Sequence, residues 1–254
     1  DFKLHRYANH QDNGIINLKT YTNQKAFKVI DIAKRDWNYA DMNYWNRFNI
    51  SIDILNYFQV FPVRTAYLNK QDIYNYYDYD PCYAYYLGTD TRGIHWKLYF
   101  PYRKEYRFIT NSNKVQGVSR VTKADFGVIT KSLKDVMSLF SFGITSVAVP
   151  AESVTLTDTQ LEYLKTIWGQ QVSLMDFDRA GQRLAIELRK RNIPALFLTN
   201  GTYGAFDYEA KDFSEHVDVW GVKTTQNLID FIRDEGIYKF NPANYADFLT
   251  YNYK

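Results

Sequence analysis

The stretch that decides the fold is Leu174-Met175-Asp176-Phe177-Asp178-Arg179-Ala180-Gly181. Val172 to Met175 is a short apolar run of strand length, and a helical pattern follows from about Ala180 to Arg191. Two acidic residues therefore stand where a strand ends and a helix begins. Residues two apart at a strand end point to one side, so Asp176 and Asp178 can share a cation. Gly181 lets the helix approach closely, and the helix N-terminus favours an anion such as phosphate. Working outward, the same grammar repeats. Phe126 to Thr130, Ser146 to Val149 and Ala195 to Leu198 are further apolar runs, and helices are expected over Ser132 to Phe140 and from Thr157 or Asp158 to Ile167. Alternating strands and helices imply parallel βαβ units with ligands at the carboxyl ends of the strands. Asp135 falls just after the first of these strands, and Asp212 and Glu215 follow the fourth after a loop. Acidic residues after three strands of one parallel sheet map to one edge, where they could hold one or two Mg²⁺ (or Mn²⁺) ions.

The first half reads differently. Helical spacing covers Tyr44 to Phe48 and Ile52 to Phe58, with Ser51 as N-cap. Strands are expected at Val60 to Leu68, Cys82 to Leu87 and Ile94 to Phe100, the last two joined through the turn Thr91-Arg92-Gly93. The expected organisation is an extension or linker over 1–41, a basic α+β subdomain with an antiparallel sheet over 42–124, an α/β domain with a parallel sheet of about four strands over 125–236, and a tail over 237–254.

Charge divides along the same line. Residues 1–124 hold 18 Lys and Arg against 11 Asp and Glu, whereas residues 125–254 hold 13 against 17. The excess concentrates between Arg92 and Lys123, where Lys97, Arg103, Lys104, Arg107, Lys114, Arg120 and Lys123 interleave with Trp96, Tyr99, Tyr102, Tyr106 and Phe108. Cations among aromatic rings suit a groove that tracks a single strand, phosphates on the cations and bases on the rings. They equally suit a solvated sheet edge over an aromatic core.

Composition excludes several classes. With 46% hydrophobic and 23% charged residues, the chain has the material of a globular core. The longest apolar stretch, about Phe142 to Ala151, is interrupted by Thr145 and Ser146 and is half the length of a membrane span. The single cysteine, Cys82, permits no intrachain disulfide and suits a cytoplasmic setting, and with four scattered histidines it cannot assemble a zinc finger. No Gly-Lys-Ser/Thr occurs, so no helicase motor is expected in these residues. The 23 tyrosines fit either an AT-rich coding sequence or selection for base-stacking rings. The initial residue is Asp, so a piece of a longer protein is expected.

With these residues in view, the second half resembles a Toprim domain, the metal-binding module shared by DnaG-type primases, topoisomerases and some nucleases. Asp176-Phe177-Asp178-Arg179-Ala180-Gly181 is similar to the family's Asp-x-Asp-x-Ala-Gly motif, and Lys211-Asp212-Phe213-Ser214-Glu215 resembles an element of phage-type primase–helicases. Tyr44 to Ser51 and Lys97 to Pro101 resemble the parts of the primase core that precede Toprim. The resemblance implies primer synthesis from nucleoside triphosphates on single-stranded DNA. It implies metal on Asp135, Asp176, Asp178, Asp212 and Glu215, and nucleotide contacts from Lys211 and Arg179. A zinc-binding module and a replicative helicase would lie in other segments or chains, in a host cytoplasm if the source is a phage. A Toprim nuclease and a single-strand-binding replisome module are the rival implications. One position departs from the pattern. The family's Glu-Gly-x-x-Asp is Lys131-Ser132-Leu133-Lys134-Asp135 here, with an ammonium where the glutamate stands. Three readings of Lys131 stand: a fixed cation that contacts phosphate, a site in which Glu152 supplies the missing carboxylate, or an impaired site that only binds.

Overall fold

The computed structural model describes residues 27–151, 154–176, 178–196 and 210–234. Its first part is an antiparallel sheet. Strand β1 (Ile30–Lys34) is followed by helices α1 (Tyr39–Asn46) and α2 (Ile52–Tyr57) and by strands β2 (Val60–Leu68), β3 (Gln71–Asn75), β4 (Tyr83–Asp90), β5 (Gly93–Tyr99) and β6 (Phe108–Thr110). The order is β1-β2-β4-β5-β6, with β3 against the second half of β2. Asn38 and Asp41 start α1 with a reciprocal capping box. Asp41 is buried at 2% exposure because it also takes the Arg35 guanidinium, at 2.5 and 2.7 Å, and the Tyr83 hydroxyl at 2.9 Å. A buried carboxylate persists only with such partners.

The expectation of a linker over 1–41 needs correction at its end. Ile30–Lys34 pairs antiparallel with β2 from Leu68 to Val63, and buried Ile30 packs beside Val63 and Ala66. Only five residues form it and their burial does not alternate cleanly, so no period is visible in the sequence. Strands β3 and β6, also unforeseen, are short pieces on polar or exposed segments. Residues 1–26 and 235–254 lie outside the described residues.

The second part is the α/β layer expected from the sequence. Strand β7 (Ala124–Thr130), helix α3 (Leu133–Ser141), strand β8 (Ser146–Ala148), helix α4 (Asp158–Lys165), strand β9 (Trp168–Leu174), helix α5 (Arg179–Arg189), strand β10 (Ala195–Leu196) and helix α6 (Phe213–Asp234, broken at Gly221) follow in order. The four strands are all parallel, in the order β10-β9-β7-β8. Helix α3 is buried from Leu133 to Leu139, because it lies between the two sheets. Its Leu133, Val136 and Met137 share a core with Tyr44, Trp45, Phe48, Tyr85 and Tyr99 of the first part. The Ser138 hydroxyl donates to the Phe48 carbonyl at 2.9 Å, and Arg47 forms a fork with Asp218. Helix α3 of the parallel layer is therefore packed against the aromatic side chains of the first part. No helix among the described residues is long and apolar enough to cross a membrane.

Candidate metal centre

Strands β7 and β9 are neighbours, with Ile129 opposite Ser173. The residues just past their ends, Lys131 and Asp176, are thus adjacent in space. Asp135 enters from the first turn of α3. Ser132 caps that helix, its hydroxyl accepting from the Asp135 amide at 3.1 Å and donating to Asp135 Oδ2 at 2.6 Å. Asp135 Oδ1 accepts from the Ser214 amide at 3.1 Å and the Ser214 hydroxyl at 2.8 Å. Ser214 belongs to the first turn of α6, and its hydroxyl also lies 2.8 Å from Asp212 Oδ1. Asp212 caps the same helix end by accepting from the Glu215 amide at 2.7 Å. Two helix N-termini are thus clamped together by one aspartate and two serines.

The result is a cluster in which carboxylate oxygens of Asp135, Asp176 and Asp212 all lie within 4.8 Å of one another. Asp135 is wholly enclosed and Asp176 is 6% exposed. Burial, and then the charge of Asp212, pushes Asp135 up to about 7. The same two causes push Asp176 up to about 6, against the pull of Lys131. Burial alone would raise Asp212 too. The Lys134 ammonium, the Glu215 amide and the Ser214 hydroxyl outweigh it and hold Asp212 below the usual carboxylate range. Three hard oxygen donors stand close together in a largely enclosed place, with the Lys131 and Lys134 ammoniums answering only part of their charge, and such a set suits a divalent cation.

The other expected site residues occupy different places. Asp178 is the N-cap of α5. Its Oδ1 accepts from the amides of Ala180 and Gly181 at 2.9 and 2.8 Å, and its Oδ2 lies 3.4 Å from the Lys131 ammonium. Glu215 turns to Lys211, accepting from its amide at 3.2 Å with its ammonium at 4.0 Å. Arg179 and Lys211 are exposed beside the cluster. Glu152 lies outside the described residues.

The basic segment is spread over several local partners. Arg103 makes a fork with Asp80, and its guanidinium sits 3.7 Å from the Phe100 ring centre. Lys97 is buried, 4.6 Å over the Phe108 ring. Lys114 lies 3.9 Å from Asp90, and Arg120 lies 4.7 Å over the Tyr57 ring. Lys104 and Lys123 are exposed. Arg107 donates to the Tyr99 hydroxyl at 3.2 Å. That hydroxyl meets the Tyr44 hydroxyl at 2.5 Å. Burial opposes the charge of Arg107, but Tyr99, Tyr44 and Asp212 outweigh it and hold the guanidinium above its ordinary value.

Sequence reasoning passed over three residues of this site. Ser132 and Ser214 are hydrogen-bonded to Asp135, and Lys134 lies buried 4.1 Å over the Phe48 ring, its ammonium favoured by Asp212, Tyr99, Asp135 and Glu215 against the opposing burial. The signal was present for the serines, each two or three residues from a candidate aspartate at a helix start. For Lys134 it was not, because nothing in the sequence places its side chain inside.

The pH dependence of stability follows from the raised pair. Asp135 and Asp176 bind protons more tightly in the folded chain than in the unfolded one. The stability this gives is fully present below about pH 4 and is lost as pH rises through 6 to 7 in the metal-free protein. A divalent ion substitutes for those protons. Mn²⁺ should therefore raise the melting temperature by several degrees at pH 8 and by little at pH 5.5, a difference that thermal unfolding at fixed excess metal will measure.

The sequence pattern of the Toprim-like family matches residues 128–217, the segment that contains the whole acidic cluster. A search of the curated proteins finds no match. Among solved structures, the primase fragment of the bacteriophage T7 primase-helicase protein is similar at TM-score 0.52 and 13% identity, over 78% of this chain and 83% of that one. The Aquifex aeolicus primase, with its zinc-binding and RNA polymerase domains, is similar at TM-score 0.52 and 16% identity, over 78% of this chain and 56% of that one. A DnaG primase catalytic domain bound to ssDNA is similar at TM-score 0.52 and 12% identity, over 76% of this chain and 73% of that one. The segment that matches the Toprim-like pattern thus lies behind an antiparallel subdomain. That arrangement is the fold of the Toprim-domain primase catalytic cores.

Proposed function

We propose that this chain is a DNA primase catalytic core, joining nucleoside triphosphates into short RNA primers on single-stranded DNA. The observation that carries the reading is the convergence of Asp135, Asp176 and Asp212 at one edge of the parallel sheet, within electrostatic reach of Arg107 of the antiparallel subdomain. An acidic centre for cations beside a cationic and aromatic wall is what template-directed phosphoryl transfer needs.

Asp135, Asp176 and Asp212 would hold Mg²⁺ or Mn²⁺, which when bound polarises a phosphoryl oxygen and brings the primer hydroxyl into line with it. The chain's own residues do the rest by position and charge. Ser132 and Ser214 fix both oxygens of Asp135, so the carboxylate is oriented before any ligand arrives. Lys134 lowers the repulsion among the carboxylates from inside the protein. Lys211 and Arg179, both exposed, are the cations we assign to the triphosphate. Lys104, Lys123 and Arg107 are the cations we assign to the template, with Lys97, Arg103, Lys114 and Arg120 supporting the wall. The similar solved proteins include a DnaG catalytic domain bound to ssDNA, a primase with a zinc-binding domain and a primase-helicase. Template selection and motor coupling are accordingly assigned to a zinc-binding module and a helicase in other segments or chains. The setting we assign is the cytoplasm, of the host if the source is a phage.

The test is primer synthesis by the purified chain on single-stranded DNA with nucleoside triphosphates and Mg²⁺ or Mn²⁺. Labelled short RNA should appear with wild type and vanish with Asp176→Ala plus Asp178→Ala. Undiminished synthesis by that double variant would remove the acidic cluster from the reaction.

A further inference from the structure

Lys131 stands at the position of the Toprim glutamate, and the structure shows what it does there. It follows Thr130, the last residue of β7, and precedes the N-cap of α3, so two regular elements fix its backbone. Its side chain is 12% exposed. The ammonium lies 2.8 Å from Asp176 Oδ2 and 3.4 Å from Asp178 Oδ2, between two carboxylates of one strand end. The remaining oxygen of Asp178 is taken by the amides of Ala180 and Gly181. Asp178 therefore has both oxygens engaged by groups of the chain itself. It stays outside the group of oxygens that Asp135, Asp176 and Asp212 bring together. Glu215, the fifth acidic residue nearby, is turned to Lys211. The acidic edge is thus shared at Asp176: an ammonium answers Asp178 and one oxygen of Asp176, while Asp135, Asp212 and Asp176 together are left to an ion from solution.

Resting on the metal-centre reading above, we propose that Lys131 is a tethered counter-ion that takes the place of one divalent cation, so that the centre loads a single divalent ion, on Asp135, Asp176 and Asp212. The chemistry of the substitution is specific. An ammonium offers three donors at hydrogen-bond distance and one positive charge, and it is present whatever the metal concentration. It cannot accept a proton or ligate a metal as a glutamate would. It neutralises the Asp176–Asp178 pair and repels a second ion from that side. A glutamate at the same place would add a ligand where Lys131 removes one. Metal loading should be one step, with a single stoichiometric site and a hyperbolic dependence on free metal.

The experiment is a Mn²⁺ titration of the whole chain at pH 8. Calorimetry gives the stoichiometry, and the paramagnetic resonance of free Mn²⁺ gives an independent count. Wild type should bind one ion. Lys131→Glu should bind two. Lys131→Met keeps the stem and removes the charge, so it should bind its first ion at least about tenfold more tightly, because a nearby like charge is gone. Thermal unfolding of each variant checks that it is folded, and the wild-type count stands even if a variant is not. Two ions of comparable affinity in wild type would overturn the proposal while leaving the metal centre intact. So would a folded Lys131→Glu that still binds one ion, or a Lys131→Met that binds more weakly. No Mn²⁺ binding by wild type at millimolar metal would instead overturn the metal-centre reading, and this inference with it.

Discussion

Asp135→Asn should abolish divalent-ion binding and lower primer synthesis by at least about a hundredfold, yet raise the melting temperature of the metal-free protein at pH 8. The two effects share one cause. Asp135 is wholly enclosed and pushed up to about 7 by burial and the neighbouring Asp212, so at pH 8 the folded chain carries a charge that its surroundings disfavour. Asparagine has the same shape and removes that charge. Its oxygen can still accept from the Ser214 amide and hydroxyl, and its NH₂ can donate to the Ser132 hydroxyl in place of the bond that Ser132 gave. The expected gain is about 1–2 kcal/mol, or several degrees, for metal-free protein. At pH 5.5 the gain should shrink, since the folded wild-type carboxyl is then protonated, and it should vanish only near pH 4, where the unfolded carboxyl is protonated too. What the change removes is a ligand, and a neutral amide is a poor substitute for a carboxylate toward a hard cation. Calorimetric Mn²⁺ titration, primer synthesis and thermal unfolding at the two pH values measure all three effects. A variant that loses stability at pH 8 would show that Asp135 is a structural anchor rather than a strained ligand.

How far the sequence foretold this centre depends on where each contact lies along the chain. The four parallel strands were legible because each contains a short apolar run with a helix signal after it, a local pattern. Asp135 and Asp176 were legible for the same reason, each just past a strand whose edge the topology fixes. The partition among the acidic residues was not. An Asp-x-Asp before a helix can share a metal or can cap, and only the structure shows that Asp176 joins the cluster while Asp178 spends one oxygen on the amides of α5. The pairing of Lys131 with both is a contact across 45 and 47 residues, made by the adjacency of β7 and β9, which no window of sequence contains. Charge counting has the same blindness. It found the basic segment, but it could not see that Arg103 turns to Asp80 whereas Arg107 turns to the Tyr99 hydroxyl. Strand β1 was missed because its burial depends on a β2 edge more than thirty residues away.

Gly181→Ala should be among the most damaging single-methyl changes in the chain. Gly181 lies in the first turn of α5, with an ordinary helical backbone, so helix propensity alone would favour alanine by about 1 kcal/mol. Space reverses that sign. A Cβ built at this position falls 2.1 Å from the carbonyl oxygen of Asp176 and 2.9 Å from its carbonyl carbon and its nitrogen. These are backbone atoms, which cannot rotate away as a side-chain end could. Relief requires α5 to retreat from the end of β9, or the Asp176 peptide to swing out of line. The first breaks the Asp178 cap on the Ala180 and Gly181 amides, and the second moves Asp176 from its place near Asp135 and Asp212. Either way the loss should reach about 3 kcal/mol or more, at the upper end for an overpacked core. Mn²⁺ affinity should fall at least about tenfold even in the fraction that folds. Denaturant unfolding with and without Mn²⁺ separates the two effects, because a purely global loss leaves the metal-induced stabilisation of the folded protein unchanged. A stable variant with undiminished Mn²⁺ affinity would mean that the helix does not approach the strand end as closely as described, and the placement of Asp176 would fall with it.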